Sequence, residues 1–262
     1  MTKPPPKKIV SSEQNAVFRE LRECLASKGI RKHGLYIVSG DRAVGELLET
    51  RSPEVRDLII CAETHGEDHA LVRKFFAKAA DSRATLIELS RALFEELDLF
   101  GTKEPLLVLR TPELKIADLT VAPEGLEVLC AMGDPANVGA LVRSAAAFGA
   151  TKIVFLKESA SPFHPKATRA ASATTRAVAL EKGPSIHEIG ATNVIALDMK
   201  GESLFDFRWP KNCRLLIGEE GPGVPNKLDH TLVSIPMAAT VESLNATVAA
   251  SIALYSYRSS QS

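Results

Sequence analysis

Apolar residues recur along the chain with two periods, one typical of strands and one typical of helices. Short apolar runs predict strands, and segments with an apolar residue every three or four positions predict helices. In the first part of the chain the predicted strands are 35–39, 55–61, 84–89 and 105–110, and the predicted helices are 12–28, 43–49, 70–80 and 91–97. The Pro- and Lys-rich residues 3–8 are expected to be frayed. This alternation predicts an α/β domain with a partly parallel sheet.

Residues 111–124 carry two prolines and little periodicity, which predicts a linker. Beyond them the alternation of strands and helices starts again. The predicted strands there are 126–132, 152–156, 193–197, 214–217 and 232–235, and the predicted helices are 137–148 and 244–258. The chain is therefore predicted to hold two α/β domains, residues 1–110 and residues 125–262, joined by the linker.

The composition adds a question about charge. With 262 residues, 45% of them hydrophobic and 24% charged, the chain can fill two hydrophobic cores. Its 32 basic and 32 acidic residues give a net charge of zero, which argues at first against a nucleic-acid partner. However, residues 1–42 carry nine Lys and Arg against four Asp and Glu. A second basic cluster, opposed by Glu158, comprises Lys157, Lys166, Arg169 and Arg176. Both groups suit phosphate binding, and a solvated surface explains the charges alone equally well.

Nothing in the sequence indicates export, membrane insertion or a metal. No apolar run is long enough to span a bilayer, and the N-terminus lacks the apolar region of a secretory signal. The four cysteines, Cys24, Cys61, Cys130 and Cys213, are far apart, and none lies in a CxxC pair. We interpret them as buried, reduced thiols. We expect a cytoplasmic protein with neither a membrane nor a metal partner.

The first of three motifs, DPANVGALVRSAAAFGA, spans residues 134–150. A predicted strand ends in a proline-containing turn, and a helix then begins near Asn137, with Gly139 close to its start. Arg143 lies one turn after Gly139 and projects from the first turns of the helix, near its positive end. The alanines that follow allow close packing. An ordinary strand–helix unit with a surface arginine explains this motif alone equally well.

The second motif, LLIGEEGPGVP, spans residues 215–225. An apolar strand runs into a loop with three glycines, two glutamates and two prolines, where backbone groups can approach a ligand because glycine lacks a Cβ. The loop has neither the Lys-Ser/Thr pair of a phosphate loop nor the pattern of a dinucleotide fingerprint. Its acidic residues suit a neutral or cationic ligand better than a phosphate. A plain turn is the alternative interpretation.

The third motif, IPMAATVESLNATVAASIALYSYR, spans residues 235–258. A strand ends at Pro236, and a short polar loop leads to a helix that Ser243 and Asn245 mark at its entry. Both residue types are good helix caps, so capping alone is a strong alternative for either one. The helix is rich in alanine, which allows a second helix to approach closely.

Together and in this order, the motifs resemble those of the SpoU (TrmH-like) family of RNA 2′-O-methyltransferases. The matches are N-x-G-x-x-x-R-S-A-x-x-F-G at 137–149, G-x-E-G-x-G at 218–223, and I-P-M with S-L-N-x-T-V-A at 235–249. The resemblance covers residues 126–258, and PKATRAAS at 165–172 is similar to the family's segment between the first two motifs. Three residues depart from the pattern without removing a proposed catalytic group: Thr174, Glu219 and Thr247.

The resemblance implies a fold and a set of partners. The C-terminal half would be an α/β methyltransferase domain with a deep trefoil knot. The preceding, smaller α/β domain would resemble a ribosomal-protein fold, because residues 11–21 and 36–48 are similar to the family's RNA substrate-binding domain. The implied cofactor is S-adenosylmethionine (SAM), the implied partner is RNA, and the implied assembly is a homodimer.

The resemblance also assigns roles to individual residues. The catalytic set is Arg143, Asn137, Glu220, Ser243 and Asn245. The cofactor-binding set is Leu197, Ile217, Gly218, Glu219, Gly223, Ile235, Met237 and Leu244. The RNA-binding set is Arg42, Lys166, Arg169 and Ser172. Because arginine stays protonated, we interpret Arg143 as an electrostatic or phosphate-relaying group rather than a general base, acting on its own or on the other subunit's SAM.

The implied reaction is methyl transfer from SAM to a ribose 2′-hydroxyl. Ribosomal RNA and transfer RNA are both open as substrates, with the two-domain layout favouring ribosomal RNA, and a base-nitrogen acceptor is a further alternative. A non-catalytic SAM-binding protein that assists RNA folding or ribosome assembly is the second hypothesis. A small-molecule α/β enzyme is the third, against which the missing phosphate loop argues.

Overall fold

The computed structural model describes residues 5–50, 55–79, 84–172, 174–225, 230–238, 240 and 243–261. The chain forms two compact units. The first unit comprises Met1–Glu113 with Phe163–Ala173, and the second comprises Leu114–Pro162 with Thr174–Ser262. A short segment from the second half of the chain is therefore part of the first unit. Within the described residues, no helix combines the length and the apolarity needed to cross a bilayer.

The first unit has a five-stranded sheet in the order β1-β4-β3-β5-β2. Its strands are β1 Lys7–Val10, β2 Leu35–Val38, β3 Val55–Cys61, β4 Thr85–Leu89 and β5 Leu106–Arg110. Its helices are α1 Ala16–Glu23, α2 Ser27–His33, α3 Asp41–Glu49, α4 Ala70–Ala79, α5 Arg91–Leu97 and α7 Pro165–Ala171. Strands β1, β4 and β3 are parallel, and β5 runs antiparallel to both of its neighbours. The carboxyl ends of β2, β3 and β4 therefore lie at one edge of the sheet.

Two predictions for this unit were wrong. Part of the segment expected to be frayed is strand β1, which pairs in parallel with β4. The helix predicted over 12–28 is two helices, because Asn15 caps the first and the chain turns into an extended conformation at Ala26. Gly29 allows this turn, since a Cβ there would collide with the backbone of Glu23.

The second unit has a seven-stranded sheet in the order β12-β10-β11-β7-β8-β9-β6, and all of its strand pairs are parallel. Its strands are β6 Lys115–Ile116, β7 Leu126–Cys130, β8 Lys152–Phe155, β9 Ala179–Lys182, β10 Val194–Ser203, β11 Cys213–Ile217 and β12 Thr231–Ser234. Its helices are α6 Pro135–Ala147 and α8 Ala246–Ser260. The central strands β7 and β11 are fully buried, as a parallel sheet covered on both faces requires.

Because these strands are parallel, the segments that leave their carboxyl ends meet at one edge of the sheet. The segment after β7 leads into α6, and the segments after β11 and β12 contain the second and third motifs. Part of the segment predicted as a linker forms β6, the edge strand that pairs with β9. The topology thus brings the three motifs together.

Candidate functional site

A cavity of about 580 Å³ lies at this edge of the second unit. Its walls are the middle of β10, the ends of β11 and β12 with the residues that follow them, the start of α6, and the start of α8 with the residues before it. The lining comprises Asn137, Leu197, Asp198, Met199, Ile217, Gly218, Glu219, Glu220, Gly221, Gly223, Val233, Ile235, Met237, Ser243, Leu244, Asn245, Ala246 and Ala249. All eight residues of the predicted cofactor-binding set are among them, as are four of the five predicted catalytic residues.

The start of α6 positions Asn137 on the cavity wall. Asp134 caps the helix, because its Oδ1 accepts hydrogen bonds from the backbone N–H groups of Ala136 and Asn137, both at 2.9 Å. Pro135 occupies the first helical position, which its fixed φ angle favours. The helix therefore begins two residues before the predicted start at Asn137. The Asn137 side chain takes no part in this cap and can form hydrogen bonds with other side chains.

A hydrogen-bond network joins the three motifs at Asn137. Its Nδ2 donates to Oε1 of Glu220 at 2.6 Å, and its Oδ1 accepts from Nδ2 of Asn245 at 3.2 Å. Its backbone carbonyl accepts from Oγ1 of Thr247 at 3.1 Å. Asn245 is at the same time the cap of α8, accepting from the N–H groups of Thr247 and Val248. Capping and participation in the site are therefore compatible at Asn245.

The glycine-rich loop 218–223 is a narrow turn. The N–H of Glu219 donates to the carbonyl of Gly223 at 3.1 Å, and the N–H of Gly223 donates back to the carbonyl of Glu219 at 3.0 Å. Gly221 and Gly223 have φ angles of 99° and 74°, a region that glycine enters without strain. A Cβ on Gly218 would lie 2.5 Å from the carbonyl oxygen of Gly223. The turn therefore requires glycine here and presents backbone groups to the cavity.

The charge of the cavity is negative. Three carboxylates line it, those of Asp198, Glu219 and Glu220, and among the described residues its lining contains no Lys or Arg. One oxygen of Asp198 accepts the backbone N–H of Lys200 at 2.9 Å, which leaves its other oxygen for a ligand. A negative, partly apolar cavity favours a ligand with positive charge and an apolar portion.

The fifth predicted catalytic residue, Arg143, is not brought into the cavity. It lies on the exposed side of α6, whereas the side that faces α8 carries Ser144 and Phe148. Ser144 shares a hydrogen bond of 2.8 Å with Ser251, and the ring of Phe148 packs against that of Tyr255 with centroids 6.0 Å apart. The guanidinium of Arg143 is therefore available to a partner that approaches from solvent.

The predicted RNA-binding residues Arg42, Lys166, Arg169 and Ser172 all belong to the first unit, although they are far apart in sequence. Arg42 is exposed and pairs with Glu46 at 2.7 Å. Lys166 and Arg169 are exposed on α7, and Ser172 ends that helix in a left-handed conformation. The guanidinium of Arg169 lies over the ring of Phe100, 5.9 Å from its centroid.

Six lining residues escaped the sequence analysis: Asp198, Met199, Gly221, Val233, Ala246 and Ala249. Gly221, Ala246 and Ala249 lie within the second and third motifs, and a separate signal existed for Asp198. Asp198 directly follows the predicted strand 193–197, and a carboxylate at the carboxyl end of a parallel strand faces the ligand edge of the sheet.

The cysteines and acidic residues give no sign of a metal or redox centre within the described part of the chain. No group of three or more His, Cys, Asp or Glu side chains has the arrangement of a metal site there. The four cysteines are buried and unpaired, as predicted. Burial raises the pKa of Cys130 to about 11 and that of Cys213 to about 12, so both thiols stay protonated.

The chain resembles RNA methyltransferases in sequence and in fold. The model of the SpoU rRNA Methylase family matches residues 127–255. The chain is 37% identical over 255 residues to the ribosomal RNA small subunit methyltransferase G 2 of Syntrophobacter fumaroxidans. The matched region covers 97% of this chain and 49% of that protein. The chain thus spans about half the length of that curated relative.

Two further similarities extend over nearly the whole chain. The 23S rRNA (uridine(2479)-2′-O)-methyltransferase of Streptomyces viridochromogenes is 29% identical, over 93% of this chain and 90% of that protein. The crystal structure of the SpoU methyltransferase AviRb of Streptomyces viridochromogenes, in complex with the cofactor AdoMet, matches with a TM-score of 0.79 and 26% identity, over 95% of this chain and 98% of that chain. The predicted α/β class is confirmed by this agreement.

Proposed function

We propose that this chain is a member of the SpoU rRNA Methylase family, whose model matches residues 127–255, and that it transfers a methyl group from SAM to a ribose 2′-hydroxyl of RNA. The observation that carries this proposal is the single cavity lined by all three motifs. Ribosomal RNA is the favoured substrate, since the similar Streptomyces viridochromogenes enzyme is named as a 23S rRNA 2′-O-methyltransferase.

The residues of the cavity fit SAM. Its volume of about 580 Å³ lies within the range of sites for ligands of this size. The carboxylates of Asp198, Glu219 and Glu220 suit a ligand that carries a sulfonium and an ammonium group. The apolar side chains suit an adenine ring, and the 218–223 turn offers backbone donors and acceptors. When bound, SAM supplies a methyl group on a positively charged sulfur.

The chain's own residues would hold the substrate and stabilise charge. Asn137 fixes the carboxylate of Glu220 and the amide of Asn245 relative to one another, which keeps the polar rim of the cavity in one geometry. The guanidinium of Arg143 would contact the phosphate next to the target ribose, so that its positive charge stabilises the developing alkoxide. Ser243, on the same rim, would orient the target nucleotide.

We further propose that the protein is a homodimer through α8. Its exposed face carries an apolar stripe of Val248, Ile252 and Tyr255, spaced so that all three lie on one side of the helix. An exposed apolar stripe of this kind supports association with a second copy. In such a dimer the solvent-facing Arg143 could serve the cavity of the other subunit.

Replacing Ile252 by aspartate is expected to convert the dimer into a monomer, because an unpaired carboxylate would be buried at the centre of the stripe. Sedimentation equilibrium at micromolar concentration would measure the mass. Ile116→Asp is the matched control, since Ile116 is an equally apolar, exposed residue on edge strand β6. A monomeric mass for the unaltered protein would refute the proposed dimer.

The first unit would select the RNA, in line with its similarity to a ribosomal-protein-like domain.

The C-terminal segment would form the family's trefoil knot. Strand β10 pairs with β12 at residues 195–197 and again at residues 202–203. This repeated pairing holds the two chain segments close together, which supports the compact crossing that a knot requires. Gly201 permits this approach, since a Cβ there would collide with the backbone of Val233.

Gly218→Ala is expected to weaken SAM binding at least about tenfold, or roughly 1.4 kcal/mol, because the added methyl group would open the 218–223 turn. Isothermal titration calorimetry with SAM would measure the loss. Gly133→Ala is the control, because a Cβ at Gly133 has no heavy atom within 4 Å and should be tolerated. Equal SAM affinity for both variants would show that the turn is not part of the cofactor site.

The direct test of the proposed function is transfer of labelled methyl from SAM to ribosomal RNA that lacks its own modifications, followed by nucleoside analysis. A 2′-O-methylated nucleoside is the expected product and would identify the target base. SAM binding without any incorporation would instead favour a non-catalytic RNA-binding protein. A methylated base nitrogen would refute the ribose acceptor.

A further inference from the structure

A second cavity, of about 370 Å³, lies in the first unit. It is at the sheet edge where β3 and β4 end, between the residues after β3, helix α5 and the segment that precedes β5. Its lining comprises Cys61, Thr64, Arg91, Phe94, Glu95, Asp98, Gly101 and Lys103. The proposed methyl-transfer site uses none of these residues.

One wall of this cavity holds Lys103 in a strained backbone conformation. Its φ angle of 55° lies in the left-handed region, which residues with a Cβ rarely adopt. The buried carboxylate of Asp98 accepts the N–H of Lys103 at 2.7 Å, and buried His65 lies 2.9 Å by its Nε2 from the Lys103 carbonyl. Two buried polar groups therefore fix the position from which the Lys103 side chain leaves the backbone. Maintained strain of this kind is typical of functional sites.

The two supporting groups are engaged with neighbouring backbone and hydroxyl groups, and the cavity carries the carboxylates of Glu95 and Asp98 beside its two cations. Nδ1 of His65 accepts the N–H of Cys61 at 3.0 Å, which leaves the proton on Nε2, where it is donated to Lys103. Burial lowers the pKa of His65, so the imidazole is neutral. Asp98 also accepts from Oγ1 of Thr102 at 3.0 Å, so both of its oxygens are engaged. Within the described residues, neither the Arg91 nor the Lys103 side chain forms a close ion pair, and the Glu63 carboxylate, which accepts the backbone N–H of Arg91 at 3.2 Å, interacts electrostatically with the Arg91 charge.

An aromatic surface lies beside the cavity. Phe100, next to the lining residue Gly101, is 37% exposed, and the guanidinium of Arg169 covers its ring. Leu99 is also exposed. Planar aromatic and guanidinium groups are the surfaces on which unstacked bases pack in RNA-binding proteins.

From these contacts we propose that this cavity binds an unpaired nucleotide of the RNA substrate, with its phosphate between Arg91 and Lys103 and its base at the cavity and the Phe100 ring. This inference rests on RNA being the substrate and specifies that the first unit reads a loop or bulge. A base in a continuous duplex is stacked and paired on both sides, so it is unable to enter a concave pocket. Paired RNA would contact only the exposed cations.

The test uses the full-length protein, a fluorescent hairpin RNA with a single-stranded loop, and a fully paired duplex of the same base composition. Fluorescence anisotropy over a series of salt concentrations gives the affinity and its salt dependence. The variants are Lys103→Gly, Arg91→Gln and Phe100→Ala. The control is Arg31→Gln, because Arg31 is an exposed cation on α2, which leads into the opposite, amino end of β2.

Lys103→Gly is the sharpest of these variants, because glycine accepts a φ of 55° and the fold should be at least as stable to heat. We expect this variant and Arg91→Gln to bind the hairpin roughly tenfold more weakly, with the slope of log K against log salt reduced by about one. Phe100→Ala should weaken hairpin binding at least about fivefold without altering that slope. Duplex binding and the Arg31→Gln control should change little.

Wild-type hairpin affinity in both cation variants would overturn the inference. An equal loss for hairpin and duplex would also overturn it, because it would reduce the cavity to a non-specific basic patch. The methyl-transfer assay separates this failure from failure of the proposed function. Loop-selective binding without any methyl transfer would refute the enzyme and leave the nucleotide site standing.

Discussion

Replacing Arg143 by alanine is expected to lower methyl transfer by at least about a hundredfold, while SAM binding stays near its original strength. The guanidinium is exposed on α6 and absent from the cavity lining, so its removal takes away no contact of the cofactor site. Its positive charge is available to the substrate phosphate and the developing alkoxide. Single-turnover transfer of labelled methyl would measure the rate, and calorimetry would measure SAM binding.

Two controls sharpen this experiment. Arg208→Ala removes another exposed arginine of the same unit and should leave the rate unchanged. Arg143→Lys keeps the charge but loses the planar pair of donors, so an intermediate rate would indicate two-point phosphate recognition. Full turnover by Arg143→Ala would remove Arg143 from the mechanism.

Mixed dimers would show which cavity Arg143 serves. One subunit would carry Arg143→Ala, and the other would carry Glu220→Ala, which removes the acceptor of the Asn137 hydrogen bond and is expected to be inactive. If Arg143 acts across the dimer, mixing two inactive proteins should restore about a quarter of the activity, since half of the dimers are mixed and each has one complete site. If Arg143 acts within its own subunit, no mixed dimer has a complete site, and activity should stay absent.

The sequence was informative where local pattern and topology agree. The strand 55–61 and the helix 91–97 have the predicted bounds, because the strand is rich in apolar residues and the amphipathic helix lies between Ser90 and Asp98. The predicted cofactor residues share one cavity because residues that follow parallel strands converge on one edge. The motifs supplied the residues, and the parallel topology accounts for their convergence.

The sequence was uninformative where long-range contacts decide. Strand β1, with the sequence KKIV, has three exposed residues and no apolar period. It forms a strand because its backbone pairs in parallel with the backbone of β4. Helix α7 belongs to the first unit through contacts such as Thr168 with the carbonyl of Ile37, which lies 131 residues away in the chain. The second cavity depends on the backbone angle of Lys103, which buried Asp98 and His65 impose.

The largest expected loss of stability comes from Arg214, which is 1% exposed at the centre of the second unit. Its Nε donates to Glu127 at 2.9 Å, its Nη1 donates to the carbonyls of Leu119 and Thr192 at 3.1 Å, and its Nη2 donates to that of Val121 at 2.5 Å. One side chain therefore holds residues 119–121, part of the segment predicted as a linker, against the sheet.

Arg214→Met is expected to cost about 3–5 kcal/mol of unfolding free energy, because it removes the guanidinium donor from the buried Glu127 carboxylate, from the buried carbonyl of Leu119 and from the part-buried carbonyls of Val121 and Thr192. Glu127, itself 2% exposed, would keep Lys152, whose Nζ lies 3.3 Å away, and the backbone N–H of Glu124, which donates to its Oε1 at 3.3 Å. Urea unfolding followed by tryptophan fluorescence would measure the loss. The single tryptophan of the chain, Trp209, is buried in the second unit, so its signal reports on that unit.

The double variant Arg214→Met with Glu127→Leu separates a buried charge from lost packing. If the cost arises mainly from the unpaired carboxylate, removing that carboxylate should recover most of it, because a well-packed apolar pair often replaces a buried ion pair at little cost. The carbonyls of Leu119 and Val121 would lack their donor in both variants. We therefore expect both variants to be cleaved at residues 119–121 faster than the unaltered protein, whether or not Glu127 is present. A loss below about 1 kcal/mol in Arg214→Met would mean that water takes over the donor role and that the ion pair does not hold this segment.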